Sequence, residues 1–306
     1  MTKKNGLTVV GLGEILWDIL PGGKQLGGAP ANFAYHAQAL GAEAIPVSCV
    51  GDDENGKEIL SQLQKLGLNR NYIAIDKNHH TGYVTVKLDK AGQPDYTIHE
   101  DVAWDFIPSD EKLPTLAQRA DAVCFGSLCQ RCETSRSTIG RVLETAGDDC
   151  LCIFDINLRQ SYYNRQIIEK SLQYTDVLKL NDEELPVLAR LLELTGTQAD
   201  LLSRLTRRYE LRMIALTRGP NGSLLYGDGK TCDHEGFHTE VIDTVGAGDA
   251  FTAAITIGLL NNKTMDEINE SANHLAGFVC SQAGATPKLP AELLKLPIIS
   301  RDKKNR

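Results

Sequence analysis

Short apolar runs alternate with amphipathic stretches through most of this 306-residue chain, and that alternation restricts the fold more than any other feature. It signals βα units and a largely parallel sheet. The predicted strands are Leu7–Leu12, Ile45–Val50, Ala122–Gly126, Leu151–Ile156, Asp176–Leu180 and Met213–Thr217. Helical patterns lie between them. One follows Pro30, with Phe33, Ala37 and Leu40 at helical spacing, and stops at Gly41; proline in the first turn and glycine past the end are the expected punctuation. Others cover Lys57–Leu66, Ser135–Thr145, Arg165–Leu172, Asp182–Leu192, Asp249–Leu260 and Ile268–Ser281. The stretch from Tyr72 to Glu100 breaks the rhythm. Gly82–Leu88 alternates in the β manner, Asp89–Gly92 turns and Asp95–His99 returns, which predicts an inserted hairpin. It could cover a site, join two subunits, or extend an edge of the main sheet.

Composition removes several function classes. Hydrophobic residues at 42% and charged residues at 24% exclude disordered and fibrous chains. Thirty-two Lys and Arg against forty Asp and Glu leave a formal charge of −8, so the basic footprint of a non-specific nucleic-acid binder is missing. The dense basic run Arg301–Arg306 reads as a solvated tail. No apolar stretch approaches the roughly 20 residues that span a bilayer. Lys3 and Lys4 precede Leu7–Leu12 in the manner of a signal peptide, but Glu14 and Asp18 interrupt the apolar run. A first strand and a cytoplasmic location are expected instead. Eight cysteines in this length are not a disulfide framework, and Cys129–Cys132 forms a C-x-x-C without a second pair to complete a zinc site. Reduced structural thiols are expected.

Two segments compete as phosphate sites. Gly51–Glu58 nearly matches G-x-x-x-x-G-K-[ST] after a strand, yet Asp52, Asp53 and Glu54 would stand beside a polyanion. At about 4 Å each like-charge pair costs about 1 kcal/mol in water and more in a cleft. Glu58 also replaces the magnesium-binding hydroxyl, and the segment is rejected. Gly11-Leu-Gly13 fails as a dinucleotide fingerprint because Leu16 stands where its third glycine belongs. In Asp243–Thr252, by contrast, Gly246, Ala247 and Gly248 run into a helix, so a ligand can approach bare backbone and the first-turn amides attract anions. Asp249 then has two readings. It caps the helix, or it is a general base beside an oxyanion site.

Gly27–Ala34 and Asp243–Thr252 resemble the two signatures of the ribokinase-like (PfkB) carbohydrate kinases. Between them Asn181–Glu184 is similar to the family's N-x-x-E motif, and Thr217–Gly222 to its nucleotide loop. The resemblance implies an α/β fold: a ribokinase-like three-layer αβα domain over residues 1–306, with a mostly parallel central sheet. A small β-sheet lid would use segments near 14–27 and 72–104. ATP would donate its γ-phosphate to a sugar hydroxyl, with Asp249 as base and Gly246, Ala247 and Gly248 as anion hole. Glu184 would organise Mg²⁺ through water, a role suited to a lone carboxylate. Asn181, Thr217, Gly219 and Gly222 would border the nucleotide, and Asn273 the adenine. Asp243 and Val245 resemble the family's monovalent-cation loop, which leaves K⁺ as an option. A homodimer through the lid is a further option.

On the sugar side, the resemblance assigns hydroxyl contacts to Asp18, close approach to Gly27 and Gly28, and polar contacts to Asn32 and Arg159. The bland readings are helix capping for Asn32, a surface ion pair for Arg159, a solvated first-turn carboxylate for Glu184 and a surface amide for Asn273. Ribokinases proper carry a sugar-contacting Glu after the strand matching Ala122–Gly126, where this chain reads Gly126–Arg131 without an acid. The wording is most similar to fructokinases, which makes fructose the expected substrate. Ribose, another sugar, a 2-keto-3-deoxy sugar acid held by Arg159, or a nucleoside against Trp17, Phe33 and Trp104 are alternatives. A non-catalytic sugar sensor is the alternative of a different class.

Overall fold

The computed structural model describes residues 6–20, 22–88 and 94–293. β1 (Thr8–Leu12) leads into a hairpin of β2 (Leu16–Leu20) and β3 (Gly23–Gly27), then α1 (Ala29–Ala39), β4 (Glu43–Gly51), α2 (Glu54–Lys65) and β5 (Ile73–Asp76). A second hairpin pairs β6 (Tyr83–Leu88) with β7 (Pro94–Ile98). Next come α3 (Lys112–Arg119), β8 (Ala122–Gly126), α4 (Glu133–Thr145), β9 (Leu151–Asp155), α5 (Arg165–Leu172) and β10 (Val177–Asn181). They are followed by α6 (Glu184–Leu191), α7 (Gln198–Tyr209) and β11 (Met213–Thr217). β12 (Ser223–Gly227), β13 (Lys230–His234), α8 (Ala247–Leu260) and α9 (Met265–Cys280) complete the series.

Nine strands form one sheet in the order β13-β12-β11-β10-β9-β8-β1-β4-β5. From β11 to β5 every pairing is parallel, and β12 pairs antiparallel with both β11 and β13. Alternate residues serve two cores. Val10, Val123, Phe154 and Leu178 pack with Leu116, Ile139, Ile168, Leu188 and Leu205 from α3 to α7. Val9, Cys124, Ile153 and Val177 pack with Phe33, Ile59, Phe251 and Leu275 from α1, α2, α8 and α9. Burial on both faces is why these strands read as continuous apolar runs. α8 is buried on all sides from Ala250 to Leu260, whereas its sequence suggests a single apolar face at Phe251, Ala254, Ile255 and Leu259.

The small sheet is β3-β2-β6-β7, joined by a parallel pairing of β2 with β6. The predicted hairpin is therefore a separate layer rather than an edge of the main sheet. Its strands fall within the predicted 82–99, while β5 pairs with β4 in the main sheet and Trp104 is fully buried in the core. The turn at 89–92, the N-terminal lysines and the basic tail lie outside the described residues. All eight cysteines are free. No helix among the described residues is long and apolar enough to cross a membrane.

Candidate active site

The carboxyl ends of β8, β9, β10 and β11 present Gly126, Asp155, Asn181 and Thr217 along one edge, where open parallel sheets bind ligands. Two helix N-termini meet there. Asn32 in the first turn of α1 donates to Asp249 Oδ2 in the first turn of α8 at 2.8 Å. Ala29, Phe33, Gly126, Asp155 and Asp249 line a small cavity between them.

The sequence explains why α8 starts with open amides. Gly246 is the cap, at φ 80 and without a capping side chain. A Cβ there would lie 2.7 Å from Ala285, so both the space and the backbone angle require glycine. The Ala247 amide is turned to Thr244 O at 3.3 Å, whereas the amides of Gly248 and Asp249 have no hydrogen-bond partner among the described residues. The free donors thus sit one position later than the glycine run suggests. Asp249 is not the cap. Burial raises its carboxyl to about 6, the charge of Asp155 adds to the shift, and the Asn32 hydrogen bond, Lys179 and Arg159 oppose it.

Beneath this turn lies a buried ionic network. Lys179 Nζ bonds Asp155 Oδ1 at 3.0 Å, and Thr252 Oγ1 donates to Asp155 Oδ2 at 2.9 Å. Burial works against the Lys179 ammonium, but Asp155, Glu184 and Asp249 outweigh it and hold its pKa above the lysine value. A Cβ on Gly248 would lie 3.1 Å from that ammonium. Glu184, 8% exposed, accepts from the amides of Leu158 and Asn181, both at 2.8 Å. It is not a solvated carboxylate; burial raises its pKa and Lys179 counters. Asn181 Oδ1 in turn accepts from the Glu184 amide at 2.8 Å. No group of three His, Cys, Asp or Glu among the described residues could hold a metal alone. Glu184, with two amides on its oxygens, fits a cation held through water and phosphate rather than a protein cage.

Asp18 lies on β2, and a Cβ on Gly27 would collide with its carboxylate. Burial raises Asp18 to about 6; Arg159 lowers it and Asp243 raises it. Gly28, at φ 112, lies against the backbone of Glu14 and Ile15. Arg159 is exposed and makes no ion pair among the described residues, contrary to its bland reading. Trp17 and Trp104 are buried in the cores rather than lining a ligand wall.

On the other flank, Thr217 ends β11, Gly219–Asn221 forms a single 3-10 turn, and Gly222 at φ 75 packs on His234 and Gly236. Asn273 is buried, not a surface amide: its Nδ2 donates to Ser223 Oγ at 2.7 Å and to Asn269 O at 2.7 Å. Val241, Ile242 and Val245 are exposed apolar residues just before α8, and Phe237 packs on His234 and His274. Asp243 accepts from the amides of Val245 and Gly284, both at 3.0 Å, tying two loops together. Lys179, Asp155, Thr252 and Glu14 carry no role in the sequence reading. A lysine inside the apolar run Val177–Leu180 is the signal that could have found the network.

Residues 22–292 match the pfkB family of carbohydrate kinases, and the chain belongs to that family. A fructokinase from Klebsiella pneumoniae is 29% identical over 292 residues, covering 90% of this chain and 92% of its own. An uncharacterized sugar kinase from Pyrococcus horikoshii is 31% identical over 283 residues, 89% of this chain and 86% of its own. Its structure in complex with ATP superimposes with a TM-score of 0.77 at 27% identity, covering 92% of this chain and 94% of that one. Vibrio cholerae O395 fructokinase, solved with fructose, ADP and calcium, shares the fold with a TM-score of 0.81 at 23% identity, covering 95% and 98%.

Proposed function

We propose that this carbohydrate kinase transfers the γ-phosphoryl group of ATP to fructose, giving fructose 6-phosphate, with Asp249 as general base. The observation that carries this is the placement of Asp249 beside two open amides, held by Asn32 and tuned to about 6. A carboxylate there would oppose simple anion binding, but as a base its charge is used. It takes the proton of the acceptor hydroxyl as that oxygen bonds the γ-phosphorus and the bond to the ADP oxygen breaks. Gly246, Ala247 and Gly248 shape the cradle, where the amides of Gly248 and Asp249 meet the transferring phosphoryl oxygens.

A triphosphate entering this cleft meets Glu14, Asp18, Asp155, Glu184 and Asp249 against Lys179 and Arg159. The balance calls for an added cation. Mg²⁺, when bound, neutralises phosphate charge, and Glu184 would hold its water shell while Asn181 positions Glu184. K⁺ would lie at the loop tied by Asp243, with Val245. Thr217, Gly219 and Gly222 would border ribose and phosphates. The exposed apolar run at Val241–Ile242 suits a purine face, and Asn273 shapes that wall from behind.

For the sugar, Asp18 can accept from two hydroxyls, Gly27 and Gly28 permit close approach, and Asn32 and Arg159 supply further polar contacts. Ser127, Gln130 and Arg131 after β8 are committed to Ile156 O, Ser171 and Asp105, so no acid for a ribose hydroxyl stands there. A 2-keto-3-deoxy sugar acid is the second reading, favoured by the unpaired Arg159. The small sheet would act as a lid and a dimer contact, and the enzyme would work in the cytoplasm. A coupled ADP-release assay over a sugar panel, with and without Mg²⁺ and K⁺, tests this. Fructose should give the highest kcat/KM; sugar binding without turnover would leave a sensor.

A further inference from the structure

We infer that Glu14 is a positioning residue for the reaction, its carboxyl fixing the N-terminus of α1 and thereby the Asn32 amide that holds Asp249. This rests on the kinase reading above. α1 starts at Gly28, which offers no capping side chain, and Pro30 in its first turn has no N–H. The amides of Ala31 and Asn32 turn back to Gly28 O, at 3.1 and 3.0 Å. Ala29 therefore carries the donor that needs an outside acceptor. Glu14, which follows β1 and is 3% exposed, lies against this end of the helix: the backbone amides of Ala29 and of Glu14 itself favour the charged form of its carboxyl.

The contact is rigid. Gly28 lies so close to the Glu14 carbonyl and the Ile15 Cα that no Cβ fits there. Asn32 is in the same helical turn as Ala29, so a shift at the helix start moves the Asn32–Asp249 bond. Glu14 Oε2 is buried without a hydrogen-bond partner, an arrangement that a merely structural position would fill more cheaply with an amide or an apolar side chain. The charged and titratable groups facing Glu14 are Asp249 on α8, Arg159 beyond β9, and the buried thiols of Cys124 and Cys129, which burial keeps protonated. Burial lifts Glu14 to about 7, with Asp249 adding to the rise. The charge of Asp249 thus bears on the protonation of Glu14.

The test compares wild type with E14A and E14Q. E14A should lower kcat/KM for the sugar at least tenfold, and hydrogen exchange at the amides of Asn32–Ala34 should quicken. E14Q keeps an acceptor for the Ala29 amide but no charge. It should restore most of kcat/KM at pH 8 and remove the inflection near pH 7 from the pH profile, which a plain structural cap would not do. Wild-type kcat/KM and exchange in E14A, or an unchanged pH profile in E14Q, would overturn the inference. If E14A does not fold, the E14Q profile decides. If the wild type turns over no sugar, the kinase reading fails, while exchange at Asn32–Ala34 in E14Q against wild type still decides whether Glu14 positions the helix.

Discussion

Two glycine-containing turns lead into helices in this protein, and they differ in where their acid stands relative to the first amides. At Gly51–Gly56, Asp53 caps α2: its Oδ1 accepts from the Gly56 amide at 2.8 Å, and its Oδ2 from the Thr81 amide at 2.8 Å. At Gly246–Asp249 the cap is a glycine, and the amides of Gly248 and Asp249 have no hydrogen-bond partner among the described residues. Both segments carry carboxylates, so charge count alone does not separate them. The amides of Glu54 and Asn55 are also unbonded among the described residues, so the difference is that Asp53 closes back over its own turn onto the Gly56 amide, whereas Asp249 is held away by Asn32. An anion site needs vacant donors that no fixed carboxylate overhangs.

The sharpest way to break this comparison is Asp249→Asn. We expect kcat to fall about 10³-fold, in the range for a lost general base, with ATP affinity by calorimetry changed less than about twofold. Near-normal turnover would remove Asp249 from the chemistry. In the wild type, kcat/KM should fall about tenfold per pH unit below about 6, because a base must be unprotonated and burial raises this one above its ordinary 3.8.

Gly246→Ala comes next. The new Cβ meets Ala285 at a positive φ, strain of about 1–3 kcal/mol, and the displaced amides should lower kcat/KM for ATP roughly tenfold. Gly229→Ala, at a positive φ but in open space, should leave it within about threefold, which separates backbone strain from loss of the cradle.

A smaller effect reads the same carboxylate through stability. The raised pKa means that the folded state holds this proton more tightly than the unfolded state does. The contribution favours folding below 3.8 and is lost as pH rises through about 6. Asp249→Asn should thus raise Tm at pH 8 by about 2–4 °C and leave it nearly unchanged at pH 4, by calorimetry. The smallest expected change in activity belongs to Asp53→Ala. It should cost about 1–2 kcal/mol of stability through the lost cap while KM for ATP stays constant. A changed KM would show that the α2 turn binds phosphate after all.

Much of the fold was legible because strand and helix periodicity are local. The strands at Ala122–Gly126 and Met213–Thr217 have the predicted bounds, and so does the helix Arg165–Leu172. β3, with Gly-Lys-Gln-Leu-Gly, gave no such signal: it is largely exposed and held by pairing with β2, so its sequence carries no buried face. β5 was assigned to the inserted region because four residues have too short a pattern to say which sheet they join. At the site, the glycine run and Asp249 stood out by residue type. Lys179 and Glu14 did not, since their meaning lies in partners far along the chain.

Residue order alone set the alternation of strands and helices and the freedom of Gly246 to adopt a left-handed turn, and it ranked the acid-poor turn above the acid-rich one as the candidate phosphate loop. Those properties depend on a few neighbours in the chain. Only the folded chain decided that Asn32 reaches Asp249 across 217 positions, that Lys179 neutralises Asp155, and that burial tunes Asp249 to about 6. Desolvation and charge pairing act through space, and which groups leave water together is fixed only when distant segments pack.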